Sequence, residues 1–409
     1  MCTGCCGFRR SGARAAAFTV GVASAVPARA LLLPLLVWCA LVPPVAAQTI
    51  ERGTIVDPVV CASDPAQAYA LYLPSTYSPD RKWSVLLAFH PAARGRLMVE
   101  KYRAAAERYG YIVAASNISR NGPLAVSAAA AGAMMTDVER RFAIDLRRVY
   151  LTGFSGGARV SMSIALGNAD IAGVIASSAG FPDSQPRSTV TFPIFGTAGI
   201  EDFNYVEMRL LDRKMSSPHF LAVFPGGHAL PPDDVATEAI EWMEIQAMRS
   251  GRRAREDAVL HDLLDKRRAR LAASVNVTDT VHLLTGLVSD FTGLVDVSAE
   301  TARLDELSRR AEVRKALKRE RDFDETEMRL LREIFGLEVQ LADDNRRSEA
   351  LMLLRDRLSR LRKTATAATE TLERSQARRV LQAVTFGAAG RTKDQHYLTV
   401  LEQYRLRQP

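Results

Sequence analysis

The sequence contains few cysteines, and four of its five lie within the first 47 residues. Only Cys61 follows them, so the rest of the chain cannot form an internal disulfide and must be stabilised by a packed hydrophobic core. Cys2, Cys5 and Cys6 are closely spaced, but no cluster of further histidine or cysteine residues follows them. The spacing therefore predicts no metal site, and no other pattern in the sequence indicates a cofactor.

Charge of one sign is not concentrated in any segment, although 54 lysines and arginines against 46 aspartates and glutamates give a net charge of +8. The excess is divided between residues 1–47 and residues 251–409, whereas residues 48–250 carry 19 positive and 20 negative side chains. A nucleic-acid-binding surface needs a basic patch or stripe. The distribution therefore predicts no nucleic-acid partner.

Long hydrophobic runs are also missing. The apolar stretch of residues 30–42 is interrupted by Pro34 and falls short of the roughly 20 residues that a membrane-spanning helix requires. It follows a segment with four arginines and no acidic residue, and the small residues 45–47 come shortly after it. This order is typical of a cleavable signal peptide. We therefore expect residues 1–47 to be a signal peptide of a secreted or periplasmic protein; a membrane signal anchor is the alternative.

Short apolar runs alternate with helical patterns through residues 48–250. The predicted strands lie at residues 68–73, 84–89, 111–115, 148–152, 171–177, 193–197 and 219–224, and helical patterns lie at 97–109, 129–142 and 158–166. This alternation predicts an α/β domain with a mostly parallel sheet covered by helices on both faces. Functional residues are expected just after the strands, because such sheets place ligands at the carboxyl ends of their strands.

Glycine and proline become scarce after residue 250, and charged residues become frequent. Residues 325–340 and 348–362 show apolar side chains at three- and four-residue spacing, which indicates amphipathic helices. We expect an all-α C-terminal domain of about four to six helices over residues 251–409, with breaks near residues 343–345 and 387–390. Its helices could bind a protein partner or self-associate.

Residues 153–157 (GFSGG) follow a predicted strand and precede a predicted helix. A sharp strand-to-helix turn needs small residues on both sides of its serine, and it lifts the serine oxygen above the edge of the sheet. The N-terminus of the following helix stabilises negative charge that develops there. Ser155 is therefore predicted to be a catalytic nucleophile.

A serine nucleophile needs a base that accepts its proton and an acid that holds the base. His228 is the candidate base, because it lies in a glycine-containing loop directly after the last predicted strand. Asp202 follows the preceding predicted strand and is the candidate acid. Glu201 is the runner-up for this role, and Asp183 could substitute in a variant topology.

With these motifs, residues 65–248 resemble the α/β-hydrolase fold, and within it the secreted esterases of the polyhydroxybutyrate depolymerase, feruloyl esterase and dienelactone hydrolase group. Residues 199–202 match the family's pattern of glycine, two residues and aspartate after a strand, and residues 226–228 match its Gly-Gly-His. Trp242 stands in the last helix, as in the family. The resemblance implies a carboxylic ester hydrolase that acts through a Ser-His-Asp triad and an acyl-enzyme.

The oxyanion hole departs from the family pattern. The family usually has His-Gly after the third strand, where this chain has His90-Pro91, and proline has no N–H to donate. The resemblance then implies that the backbone N–H groups of Ala92 and Gly156 hold the oxyanion. His90 is expected to anchor this loop as a structural residue.

The expected substrate is an ester, which could be polymeric or sugar-linked. Only about 35 residues separate the nucleophile turn from the acid strand, which leaves no room for a large inserted cap and indicates an open cleft. Phe203 and Tyr205 come directly after the acid and are candidate substrate-binding residues.

Two other interpretations stay open. The hydrolase region could be a degenerate domain of an envelope binding or scaffold protein whose helices make the interactions, which the His-Pro substitution favours. The region could also be a peptidase of the prolyl oligopeptidase kind, which shares the triad order, but the segment before it is too short for that family's propeller.

Overall fold

An eight-stranded sheet forms the centre of the first half of the computed structural model, which describes residues 50–406 except residues 184 and 186. The predicted signal peptide lies outside the described residues. The strands are β1 (Ile55–Val60), β2 (Ala68–Tyr72), β3 (Trp83–Phe89), β4 (Tyr111–Ser116), β5 (Ile144–Phe154), β6 (Gly173–Ser177), β7 (Ile194–Gly199) and β8 (His219–Phe224). Their order is β1-β2-β4-β3-β5-β6-β7-β8, with antiparallel pairs only at β1–β2 and β2–β4. The predicted mostly parallel sheet is confirmed.

The edge strand β1 was not expected from the sequence. It contains Pro58, and its pairing with β2 shifts register between Val56 and Val59. Proline is tolerated on an edge strand because one side of that strand needs no ladder hydrogen bond. Pro58 makes β1 difficult to predict from the sequence, but it is compatible with the position of β1 at the edge of the sheet.

Helices cover both faces of the sheet. The first five are α1 (Gly95–Tyr109), α2 (Leu124–Arg141), α3 (Gly156–Leu166), α4 (Tyr205–Lys214) and α5 (Asp233–Arg249). Helices α1 and α5 share one hydrophobic core with one face of the sheet, and α2, α3 and α4 share a second core with the other face. This two-faced burial explains why β3, β4, β6 and β7 are apolar and buried throughout their length.

The C-terminal region is helical throughout, as predicted. Its helices are α6 (Asp257–Ala272), α7 (Val277–Phe291), α8 (Ser298–Arg309), α9 (Ala311–Gln340), α10 (Arg347–Ala365), α11 (Leu372–Thr385), α12 (Ala388–Arg391) and α13 (Gln395–Tyr404). These eight helices of the described chain exceed the expected four to six. The amphipathic pattern of the sequence predicts fewer helices because α8 buries none of its side chains and α12 is a single turn of four residues.

The C-terminal helices pack on the sheet domain at two places. Ile245 and Met248 of α5 share a core with Leu260 of α6 and Phe291 of α7. On the other face, Val206 of α4 joins the core that α9, α10, α11 and α13 form. No helix of the described chain has both the length and the hydropathy to cross a membrane.

Strand β8 is the edge of the sheet opposite β1, and α7 contacts the side chain of one of its residues, Phe220. A Cβ added to Gly286 of α7 would lie 2.7 Å from the ring of Phe220 in β8. The glycine therefore lets α7 approach the ring of Phe220 closely.

Candidate active site

Ser155 lies on the turn between β5 and α3 with backbone angles φ 53° and ψ −118°. Its N–H donates a hydrogen bond of 2.8 Å to the carbonyl oxygen of Ser177 at the end of β6. A Cβ added to Gly157 would lie 2.1 Å from the carbonyl oxygen of Phe89 in β3. The turn therefore packs so closely against β3 that only glycine fits at position 157. This geometry agrees with the strand-to-helix turn that the sequence predicts.

The other two predicted triad residues lie on loops after β7 and β8, at the same edge of the sheet as Ser155. The Nε2 atom of His228 lies 2.9 Å from Ser155 Oγ, and its Nδ1 atom lies 2.8 Å from Asp202 Oδ1. Asp202 is fully buried, and its Oδ1 also accepts a hydrogen bond of 2.8 Å from the N–H of Asn204. The three side chains thus form one hydrogen-bonded chain.

The alternative acids do not reach the histidine ring in this way. Glu201 forms an ion pair with Arg378 at 3.2 Å. Asp183 forms an ion pair with Arg187 at 2.8 Å, and the hydrogen bonds from Arg187 lower the pKa of Asp183 to about 2. Both carboxylates therefore have other partners.

The loop after β3 holds the predicted oxyanion donor Ala92. Its N–H donates a hydrogen bond of 3.0 Å to Nδ1 of His90, so the histidine anchors the loop. Burial, together with the nearby Arg94 guanidinium, lowers the pKa of His90, which keeps its ring neutral and able to accept this bond. Gly156 opens α3, where a backbone N–H has no acceptor within the helix.

A further residue, not found from the sequence, lies beside this position. A Cβ added to Gly156 would lie 1.8 Å from Oδ1 of Asn121, so the amide of Asn121 occupies the space next to that glycine. The N–H of Asn121 donates a hydrogen bond of 2.9 Å to the carbonyl oxygen of Pro91. No sequence signal marks this asparagine, because it comes from a loop more than thirty positions before the nucleophile.

An aromatic stack covers His228, the candidate base. The ring of Phe203 stacks on His228 with centroids 4.1 Å apart, and the ring of Phe386 stacks on Phe203 at 4.7 Å. Phe386 comes from the segment between α11 and α12 and is 56% exposed. Phe203 thus lies at the site, whereas Tyr205 is not among the cavity-lining residues and packs beneath the guanidinium of Arg379 at 4.5 Å.

A cavity of about 620 Å³ adjoins Ser155 and Gly156. Part of its lining comes from α3, α4 and loops of the sheet domain, and another part comes from α9, the end of α11, Phe386 and α12. The expectation of an open cleft needs correction, because C-terminal helices form a wall of the site. The short segment between nucleophile and acid indeed carries no helical cap in its described residues, but a wall can come from a distant part of the chain.

No protein-family model matches the sequence, and no curated protein is similar to it in sequence. Solved structures are similar to about half of the chain. A feruloyl esterase module from Clostridium thermocellum is 14% identical over 46% of this chain and 85% of that chain, with a TM-score of 0.37. A candidate dienelactone hydrolase from Klebsiella pneumoniae is 15% identical over 47% and 98%, with a TM-score of 0.36. Esterase B from Lactobacillus rhamnosis is 13% identical over 50% and 89%, with a TM-score of 0.41.

The fold can be stated from the architecture of the chain itself. The mostly parallel sheet carries helices on both faces, and a serine on a sharp turn joins β5 to α3. A serine in this position, at the top of the sheet, characterises one fold. The first half of the described chain has the α/β-hydrolase fold.

Proposed function

We propose that this protein is a serine hydrolase that cleaves carboxylic esters. The observation that carries the proposal is the hydrogen-bonded chain in which Ser155 Oγ lies 2.9 Å from His228 Nε2 and Asp202 Oδ1 lies 2.8 Å from His228 Nδ1. A serine on a strained turn, a histidine base and a buried carboxylate are the groups that acyl transfer through an acyl-enzyme requires.

In the proposed mechanism, His228 accepts the hydroxyl proton of Ser155 while Oγ attacks the ester carbonyl carbon. Asp202 holds the ring in the correct tautomer and stabilises the imidazolium that forms. The imidazolium then protonates the leaving alcohol, and the acyl group stays on Ser155. A water molecule then gives a proton to His228 as its oxygen attacks the acyl carbonyl carbon. When this second intermediate collapses, the bond to Ser155 Oγ breaks, His228 returns the proton to Oγ, and the carboxylic acid is released.

The oxyanion of each tetrahedral intermediate needs donors that are already in place. We assign this role to the backbone N–H groups of Gly156 and Ala92. The N–H of Ala92 already donates a hydrogen bond to Nδ1 of His90. A substrate oxygen would therefore have to share this N–H with Nδ1 or displace Nδ1 as its acceptor. The amide of Asn121 lies beside Gly156 and is a third candidate donor, since the oxygen and nitrogen of an asparagine amide can exchange places by rotation.

Further assignments from the sequence belong to the same proposal. Residues 1–47 would act as a signal peptide that directs secretion or export to the periplasm. Residues 48–250 would form the catalytic domain, and residues 251–409 a helical domain that could also bind a partner or a second copy. An ester, polymeric or sugar-linked, stays the predicted substrate, with no cofactor.

The nucleophile can be tested with a fluorophosphonate probe, which labels activated serines covalently. Wild type should be labelled and should hydrolyse short p-nitrophenyl esters. Ser155→Ala should lose both properties. Ser298→Ala, at an exposed position on α8, is the matched control and should keep both.

Each alternative gives a different result. Labelling that persists in Ser155→Ala would refute the assignment of the nucleophile. A wild-type protein that is neither labelled nor active on any ester would support a degenerate domain in a scaffold protein. Labelling with hydrolysis of prolyl peptide substrates, but not of esters, would support a peptidase.

A further inference from the structure

Helix α9 contributes an apolar face to the cavity beside the nucleophile. Met328, Leu331 and Phe335 line the cavity, and their spacing of three and four residues places them on one side of the helix. Leu331 is only 8% exposed, although it belongs to a helix rich in charged residues. The C-terminal region therefore brings a packed apolar surface to the edge of the site.

The remaining lining is mostly apolar, although it includes four charged residues, Arg159, Glu207, Arg332 and Arg391. Val206 and Leu210 of α4 line the cavity together with the α9 residues. Arg159 and Glu207 also line it, but two parallel hydrogen bonds of 2.9 and 2.8 Å join them, so their charges offset each other. A group that fills this space would be mainly apolar.

The position of the base indicates which part of an ester would fill the cavity. His228 must protonate the leaving alcohol, so the alcohol has to lie on the histidine side of the nucleophile. Ser155, Gly156 and Arg159 line the cavity at the start of α3, and His228 is not among its lining residues, although Phe203 and Phe386 of the stack over His228 are. The cavity thus suits the acyl group, which stays attached to Ser155.

We propose that α9 forms an acyl-binding subsite for an extended apolar acyl chain, with Met328, Leu331 and Phe335 as the residues that determine specificity. The inference rests on the proposed esterase activity. Each buried methylene contributes about 0.8 kcal/mol, so each added methylene should raise kcat/KM by about fourfold until the subsite is full.

The test compares p-nitrophenyl acetate, butyrate, hexanoate and octanoate. Wild type should prefer the longer chains. Met328→Trp, which fills the subsite, should lower kcat/KM for hexanoate and octanoate by at least tenfold while acetate changes by less than threefold. Met352→Trp, at a position on α10 that is 63% exposed and does not line the cavity, should behave as wild type.

Equal chain-length profiles of Met328→Trp and wild type would overturn the subsite. If Met328→Trp does not fold, Phe335→Ala provides the second variant, because it enlarges the subsite and should move the preference to chains longer than wild type prefers; an unchanged preference would overturn the proposal. Loss of all ester hydrolysis and probe labelling in wild type would instead refute the esterase itself.

A different set of contacts joins α11 to the loop that carries the acid. Arg379 is buried, forms an ion pair with Glu327 of α9 and donates a hydrogen bond of 2.7 Å to the carbonyl oxygen of Ile200. Its neighbour Arg378 pairs with Glu201 at 3.2 Å. The two residues directly before Asp202 are therefore both held by α11.

The loop that carries Asp202 is also hydrogen-bonded to the loop that carries His228. The N–H of Glu201 donates a hydrogen bond of 2.8 Å to the carbonyl oxygen of Gly226, two residues before His228. Phe386, just past the end of α11, also covers Phe203 on the other side of the acid. Movement of α11 would thus change the geometry between acid and base.

The geometry points to Arg379 as a positioning residue that acts through the backbone of Ile200 to set the Asp202–His228 distance. The double variant Arg379→Met/Glu327→Gln removes both buried charges without leaving one of them unpaired. It should lower kcat by at least tenfold with little change in KM. Its kcat/KM profile against pH should also differ from that of wild type, because the geometry between acid and base would be altered.

Arg374→Gln is the control, because Arg374 lies on α11 and pairs with Glu370 instead of the acid loop. It should keep the wild-type kcat and pH profile. Arg379→Lys should restore part of kcat, since lysine can still donate to the Ile200 carbonyl. If the double variant lowers only the thermal stability and leaves kcat and the pH profile unchanged, Arg379 has a purely structural role and the proposal is wrong.

Discussion

Asp290 offers a quantitative test of how the helices are joined to the hydrolase domain. Its Oδ1 accepts hydrogen bonds from Trp242 Nε1 at 2.8 Å and from Gln246 Nε2 at 3.1 Å, so it links α7 to α5. The side chain is 3% exposed, and no donor in the described chain reaches Oδ2. An ionised carboxylate in this position lacks much of the solvation it has in the unfolded chain. Replacing it with asparagine removes the charge and keeps the acceptor.

The free energy that the folded state loses when Asp290 ionises follows from the shift in its pKa. Burial raises the pKa of Asp290 from 3.8 to about 6. The folded state therefore binds more protons than the unfolded state between these values, and stability falls as pH rises through this window. Because one pKa unit corresponds to about 1.4 kcal/mol, the ionised form costs the folded state about 3 kcal/mol above pH 6.

Asp290→Asn should remove this pH dependence. Its buried amide N–H₂ lacks a partner where Oδ2 stood, which costs about 1–3 kcal/mol at every pH. The free energy of unfolding of the variant minus that of wild type should nevertheless rise by about 2 kcal/mol between pH 4 and pH 8. Only the change of this difference with pH reports the titration of Asp290, because the absolute value of the difference also contains the cost of the unpaired amide.

The measurement is urea denaturation followed by far-UV circular dichroism at several pH values, since Trp242 fluorescence would respond to the substitution itself. Met352→Leu, at a position on α10 that is 63% exposed and carries no ionisable side chain, is the control and should give a difference that does not change with pH. If the difference for Asp290→Asn is equally constant from pH 4 to pH 8, Asp290 titrates normally and the reasoning from burial is refuted.

Three further substitutions test the site and its support. Gly157→Ala should lower the melting temperature and the rate of fluorophosphonate labelling, because its Cβ would lie 2.1 Å from the backbone oxygen of Phe89; equal labelling rates would contradict this. Asn121→Ala should lower kcat by about 10²-fold with KM little changed if its amide, beside Gly156, holds the oxyanion; unchanged steady-state kinetics would exclude that role. Glu244→Gln should destabilise the protein by about 3–5 kcal/mol in urea denaturation, since Glu244 is fully buried and pairs with two arginines; a loss below 1 kcal/mol would count against it.

The sheet and the residues of the proposed triad could be predicted because their signals are local. Strands β3 and β4 are continuous apolar runs, and the glycines around Ser155 are needed for a turn within a few residues of it. Asp202 and His228 follow strands whose carboxyl ends meet at one edge, so chain order alone brings them close.

The wall of the cavity could not be predicted in this way. An amphipathic pattern shows that Leu331 lies on a buried face, but it does not show which surface covers that face. Phe386 is separated from His228 by more than 150 residues and follows a helix with no recognisable motif. Only the packing of α9 and α11 on α4 reveals that these side chains belong to the site.

The position of α11 late in the chain has a consequence for biosynthesis. A polypeptide that ends before residue 372 contains Ser155, Asp202 and His228, but it lacks the arginines that hold the acid loop and the ring that covers Phe203. Domains generally fold from the N-terminus as they are made. The sheet would therefore form first, and its hydrolytic edge would be completed only when the last helices arrive. Incomplete chains would carry the proposed triad without the contacts from α11, so we expect the proposed activity to appear only after α11 has been synthesised.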